Sequence, residues 1–137
     1  MPGPADEAAA AATSWIENLT DPAAFKAGHA PNPVIVDEFP PFLWSGADAP
    51  ENWLTDLAKF SAATGIGGVH FDHAAPAQAQ SNGDSAYVMV PVILRLQAGS
   101  KPLSAAGQIA FVMTRTENGW KIASWTYSAS EPRLDAR

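Results

Sequence analysis

Ala86-Tyr-Val-Met-Val-Pro-Val-Ile-Leu-Arg-Leu-Gln97 opens a run of three long segments, the others being Leu103 to Thr116 and Trp120 to Ser130. Their β-branched and aromatic content reads as strand. Gly99 to Pro102 and Asn118-Gly119 separate them as turns. Strands joined by turns this short must pair antiparallel, because a parallel pair needs a crossover of a dozen or more residues.

Both faces of these strands are apolar. In the first, Ala86, Val88, Val90, Val92 and Leu94 point one way, while Tyr87, Met89, Pro91 and Ile93 point the other. In the second, Ile109, Phe111 and Met113 oppose Ala106, Ala110 and Val112. Two apolar faces require two coverings. Helices supply one; the other is expected to meet the same face of a second subunit, giving a homodimer through the open sheet face.

Upstream, the helices are legible. Asp6 and Glu7 sit in a first helical turn, and Ala12, Trp15, Ile16 and Leu19 repeat at three-and-four spacing. Asp21-Pro22 restarts the chain in a short helical turn through Phe25, broken by Gly28, Pro31 and Pro33. Val34 to Phe39 reads as a strand stopped by Pro40-Pro41. Asp48-Ala-Pro-Glu51 spells a capping box. The helix it starts carries Trp53, Leu54, Leu57, Ala58 and Phe60 on one side, with Gly65 as the left-handed residue beyond its end. Val69 to Asp72 and Ala77 to Gln80 are short strands, and Asn82-Gly83-Asp84 is a turn. The result is one α+β domain over residues 1–137, with residues 1–5 and 131–137 expected to fray.

Composition narrows the function. The chain has 137 residues, no cysteine and a formal net charge of −6. A disulfide framework and a cysteine-rich zinc module are excluded. The eight basic residues form no cluster, so neither nucleic acid nor an anionic membrane surface is an expected partner. The start, Met1-Pro-Gly-Pro-Ala-Asp-Glu7, lacks a positive leader, and the expected location is cytoplasmic.

From about Ala8 to Ser130, the order helix, short helix, strand, capped helix and four antiparallel segments ending in Gly119-Trp120-Lys121-Ile122-Ala123-Ser124-Trp125 resembles the nuclear transport factor 2-like superfamily. Its SnoaL-like branch is similar in the last strand. Val36-Asp-Glu-Phe-Pro-Pro-Phe-Leu-Trp-Ser-Gly46, followed by a helix carrying Trp53, is similar to bacterial members. The resemblance implies a cystatin-like curved antiparallel sheet with N-terminal helices on its concave face and a conical cavity. It also implies frequent dimerisation, and a membership running from ketosteroid isomerase, polyketide cyclases and dehydratases to noncatalytic association and transport domains. Against the isomerase, Asp37 stands where the general base does, eight residues before Ser45-Gly46. The helix-one tyrosine of that enzyme falls near Trp15, and its fourth-strand aspartate falls around Ala110 to Val112, so the donors for an enolate are not matched.

The candidate catalytic residues are Asp37, His70 and Asp72. Asp37 lies between Ile35 and Phe39 on its own face, where desolvation would raise its pKa toward that of a useful base. Glu38 should face the other way. His70 and Asp72 share a face and could form an acid/base couple, with His73 opposite beside Val69 and Phe71; such alternation separates metal ligands, so no metal is expected. Trp15, Trp44, Gln108, Trp125 and Tyr127 are candidate ligand contacts, with Trp125 and Tyr127 on the face opposite Trp120 and Ile122. Most of these aromatics could equally serve as core. Gly65-Ile-Gly-Gly68 lacks the spacing and setting of a phosphate loop. The expected activity is a cofactor-independent isomerase, cyclase or dehydratase acting on a small, apolar, cyclic molecule; the alternative is a noncatalytic ligand-binding or protein-association module.

Overall fold

The computed structural model describes residues 3–131 and 133–134. Helix α1 spans Pro4–Glu17, with Pro4 in its first turn and the Asp6 carboxylate accepting from the Gly3 N–H at 3.2 Å. Helix α2, Pro22–Ala27, starts on Asp21, whose Oδ1 accepts from the N–H groups of Ala23 (3.0 Å) and Ala24 (3.4 Å). Gly28 follows because a Cβ there would collide with the Trp15 indole, which lies across the turn.

Strands β1 (His29–Val36) and β2 (Leu43–Ser45) precede helix α3 (Ala49–Thr64). The expected capping box of α3 does not form: Asp48 makes no side-chain cap, and Pro50 occupies the first turn. At the other end Gly65 takes the left-handed conformation, φ 76°, that its sequence position suggested. Strands β3 (Ile66–His73), β4 (Gln78–Asn82), β5 (Ser85–Ala98), β6 (Lys101–Thr116), β7 (Gly119–Ala129) and β8 (Arg133–Leu134) complete the chain. Of the end residues, Pro4 and Ala5 lie in α1, and Arg133 and Leu134 pair with β6. Met1, Pro2, Pro132 and residues 135–137 lie outside the described residues.

The sheet runs β2-β1-β7-β6-β5-β3, with β4 also on β5 and β8 on β6. The short turns enforce antiparallel pairing of β5, β6 and β7, as read from the sequence. One pairing departs from the pattern: β1 runs parallel to β7, which is possible because most of the chain intervenes between them. The fold is therefore α+β with an open, curved, mixed sheet, helix α1 packing on β3, β4, β5 and β7 and helix α3 on β1, β2 and β3.

The alternation in β5 and β6 holds. Ala86, Val88, Val90, Val92, Ile109, Phe111 and Met113 are buried under the helices with Trp15, Ile16 and Phe25. Tyr87, Ile93 and Val112 stand exposed on the other face. In β7 the alternation breaks: Met113 pairs with Ile122 but Val112 pairs with Ser124, leaving Ala123 as an extra residue. That bulge brings Ile122 onto the inner face with Trp125 and Tyr127, where simple alternation had opposed them.

Candidate functional site

Strand β1 stops at Val36, three residues earlier than the sequence pattern suggests, and the chain turns through Pro40-Pro41 with the Asp37 N–H bonded to the Phe42 carbonyl at 3.0 Å. Leaving the strand removes the period of two. Asp37 and Glu38 consequently both line one pocket, which corrects the expectation that they face opposite ways. The pocket has a volume of about 280 Å³. Phe39, Trp53, Phe60, Phe71, Trp125 and Tyr127 form its aromatic walls, and Leu57, Ile66, Val69, Leu94 and Leu96 fill the rest.

Asp37 is the chemically distinctive group. Its Oδ1 accepts from the Glu38 N–H at 2.7 Å and its Oδ2 from the Trp53 indole N–H at 3.0 Å. Burial pushes its carboxyl up to about 6, against the downward pull of both hydrogen bonds, and the neighbouring Glu38 charge adds to the rise. Glu38 Oε2 accepts from the Ala129 N–H at 3.2 Å, tethering the loop to the end of β7.

Tyr127 stands 5.5 Å from Phe71 between ring centroids and is 5% exposed. Its hydroxyl is buried with no hydrogen-bond partner. Burial, then the charges of Glu38 and Asp37, hold the phenol above its ordinary pKa, so it remains a donor. A second buried orphan, the Trp120 indole N–H, lies outside this pocket; the Arg115 guanidinium covers its ring at 4.9 Å.

Behind the pocket wall a polar chain is fully used. Trp125 Nε1–H donates to His29 Nε2 at 3.0 Å, and His29 Nδ1 lies 2.9 Å from the Phe25 carbonyl, which also accepts from Trp15 Nε1–H at 3.1 Å. The Trp125 donor assigns the ring proton to Nδ1. Burial lowers His29 to about 4, outweighing its backbone hydrogen bonds, so it is neutral at ordinary pH.

Of the residues singled out from sequence, the structure brings Asp37, Trp125 and Tyr127 together. His70 and Asp72 are exposed on the face of β3 opposite Val69 and Phe71, away from the pocket. His70 Nδ1 lies 3.1 Å from the Gly68 carbonyl, and Asp72 accepts from Arg95 Nε at 2.5 Å. His73 meets Glu17 at 2.8 Å, and its pKa is raised by the Ala74 carbonyl and then by Glu17. Trp15 is a core ring, 5.3 Å from Trp125 and outside the pocket. Trp44 is buried beside Phe39 with its N–H on Asp56 at 2.8 Å. Gln108 pairs with Pro91 and Ser128 on the outer face and is exposed.

Sequence reasoning gave no role to His29 and read Trp53 as core. A histidine directly after a helix-ending glycine was the available signal for the first, since it can bond the last helical carbonyls. Among the described residues no three His, Asp or Glu side chains could hold a metal ion, and no helix is long and apolar enough to cross a membrane. A larger groove of about 580 Å³ at the other end of β1 mixes Lys26, Lys121, Glu51 and Glu117 along an open wall, without the aromatic enclosure found at Asp37.

No family model and no curated protein matches the chain. Solved structures do. A ketosteroid isomerase-like protein from Erwinia carotovora atroseptica superposes with a TM-score of 0.75 at 18% identity, covering 96% of this chain and 100% of that one. The fold is the nuclear transport factor 2-like fold. Other proteins with it include the S. rosetta CaMKII hub (TM-score 0.72, 18% identity, 95% and 99% covered) and a hexachlorocyclohexane dehydrochlorinase from Novosphingobium barchaimii (0.73, 8%, 92% and 86%). Identities this low establish shared architecture, and the chemistry has to be argued from the site.

Proposed function

We propose that this protein holds a compact, mainly apolar ring compound in the 280 Å³ pocket and moves a proton on it with Asp37, as a cofactor-independent isomerase, cyclase or dehydratase. One observation carries the reading: a carboxyl raised to about 6, fixed by two hydrogen bonds, faces an aromatic-walled hollow. A general base works best when its pKa lies near the working pH. Asp37 would take a proton from carbon beside a carbonyl, or from a ring hydroxyl, and return it at a second position without leaving its two donors. Solved neighbours of the same fold that include an isomerase-like protein and a dehydrochlorinase support the catalytic potential of such a hollow.

The test is hydrogen exchange. In D2O, a panel of one- and two-ring ketones is followed by NMR for loss of the proton beside the carbonyl. Exchange faster than in buffer with the natural chain, and lost in Asp37→Asn, is expected. A panel that exchanges no faster than in buffer, or equally fast with Asp37→Asn, overturns the catalytic reading.

A second reading rests on the open sheet face, where Tyr87, Ile93 and Val112 are each about two-fifths exposed. A homodimer across that face would serve either a ligand-binding or an association module, and the CaMKII hub among the structural neighbours supports it. Sedimentation at micromolar concentration should give a dimer, and Ile93→Glu a monomer; a monomeric natural chain removes this reading.

A further inference from the structure

The pocket presents two carboxylates with nothing of opposite sign to face them. Asp37 and Glu38 both line the hollow, and among the described residues that line it there is no lysine, arginine or histidine. Neither carboxylate is used up. Each Asp37 oxygen accepts a single hydrogen bond and Glu38 Oε2 accepts one from the Ala129 N–H, whereas a carboxylate offers about four acceptor sites. Glu38 is exposed, which puts water beside the acidic end of the pocket, while the rest of the lining is aromatic and aliphatic. That division suits a ligand with an apolar ring and a polar head.

Charge decides what the head is. An anion would bring a third negative charge into a poorly hydrated space with nothing to balance it. A hydrocarbon leaves both carboxylates unbalanced, and a hydroxyl donates one hydrogen bond without charge. A protonated amine supplies both charge and several N–H donors. Burial already holds Asp37 up at about 6, and the Glu38 charge pushes the same way, so a cation there relieves a repulsion the empty protein carries instead of desolvating Asp37 afresh. The aromatic walls do not oppose it, since ring faces attract a cation.

We infer that the pocket selects one- or two-ring amines in their protonated form, the ammonium held by the Asp37 and Glu38 carboxylates and the ring lying against Trp53 and Trp125. The inference rests on the proposed small-molecule site but not on catalysis there. Size sets the ring number, since pockets for drug-sized ligands begin at about 300 Å³ and this one has 280 Å³.

Four compounds of similar size separate the contributions: benzylammonium, benzyl alcohol, ethylbenzene and benzoate, with dissociation constants measured at pH 7.5 by ligand-observed NMR. Benzylammonium should bind about ten-fold more tightly than benzyl alcohol, the effect of adding charge to one shape. Benzoate should be weaker than ethylbenzene or undetectable. Asp37→Asn and Glu38→Gln each remove a charge while keeping an acceptor oxygen, and each should cut the advantage of the ammonium over the alcohol about three-fold. Ethylbenzene uses neither carboxylate, so its binding reports that a variant still folds around the hollow. In the natural chain, lowering the pH from 7.5 to 5 should weaken benzylammonium about three-fold and leave benzyl alcohol unchanged, because Asp37 takes up a proton. Asp37, Glu38 and Tyr127 are the titratable groups in a lining drawn from the loop after β1, α3, β3, β5 and β7.

Equal binding of benzylammonium and benzyl alcohol overturns the inference and leaves the pocket as a site. So does ethylbenzene or benzoate as the tightest ligand. An ammonium advantage unchanged in variants that still hold ethylbenzene overturns it too, by placing the cation elsewhere on an acidic chain. Where a variant loses ethylbenzene as well, the natural chain decides, and a benzylammonium affinity constant between pH 7.5 and 5 overturns the inference. Failure of all four to bind overturns both this inference and the small-molecule reading beneath it.

Discussion

His29 and Asp37 bracket the same strand, β1, and both are largely withdrawn from water, yet they are opposite in kind. His29 has each ring nitrogen engaged, one by the Trp125 indole and one by the Phe25 carbonyl, and burial holds it neutral. Asp37 accepts one hydrogen bond on each carboxylate oxygen, which leaves half of its lone-pair capacity unused, and it lines the aromatic-walled hollow. A buried polar group whose capacity is exhausted by the protein is structure. One whose surroundings are left incomplete beside a cavity is a site.

The sharpest consequence is in the pH dependence of stability. The Asp37 carboxyl rises from 3.8 unfolded to about 6 folded, so its contribution is fully present below pH 3.8 and is lost as pH climbs through 6. His29 falls from 6.5 to about 4, so its contribution is present above pH 6.5 and is lost as pH drops through 4. Each shift corresponds to on the order of 3 kcal/mol, with opposite slopes in one window. Urea unfolding from pH 4 to 6.5 should therefore show Asp37→Asn losing stability as pH falls, and His29→Phe losing it as pH rises, while in the natural chain the two slopes largely cancel. Parallel profiles for the two variants would erase the contrast.

Next in size, His29→Phe at pH 7 strands the buried Trp125 N–H and should cost about 2 kcal/mol in urea unfolding. A cost below about 0.5 kcal/mol would mean that the chain behind the pocket is not structural. Tyr127→Phe should do the reverse, stabilising by about 1 kcal/mol, because it deletes a buried hydroxyl with no partner. Destabilisation would show that the hydroxyl is already satisfied. The smallest effect is electronic: Trp53→Phe removes one donor to Asp37 and should move its pKa further up in a carboxyl NMR titration. No movement would remove Trp53 from the account.

Much of this was legible in the sequence. The β5 to β7 meander follows from turn lengths, and the inward set of β5 and β6 from alternation, because those strands are regular. What alternation could not reach are the irregular places. The Ala123 bulge reverses the side of Ile122, and the early end of β1 turns Glu38 into the same hollow as Asp37. The period of two did hold in β3, but the sequence could not say which of its faces meets the pocket, so His70 and Asp72 carried apparent chemistry on the solvent side. Gln108 failed for the same reason. The parallel docking of β1 on β7 and the Trp53 to Asp37 bond, 16 residues apart in the chain, depend on tertiary placement that no local pattern encodes.

The most direct measurement is the titration of the Asp37 side-chain carbonyl carbon by NMR in the natural chain, assigned by its absence in Asp37→Asn. A midpoint near 6 is expected. A midpoint at the ordinary aspartate value of 3.8 would mean that water reaches this carboxylate freely, and the pocket would have no base to offer.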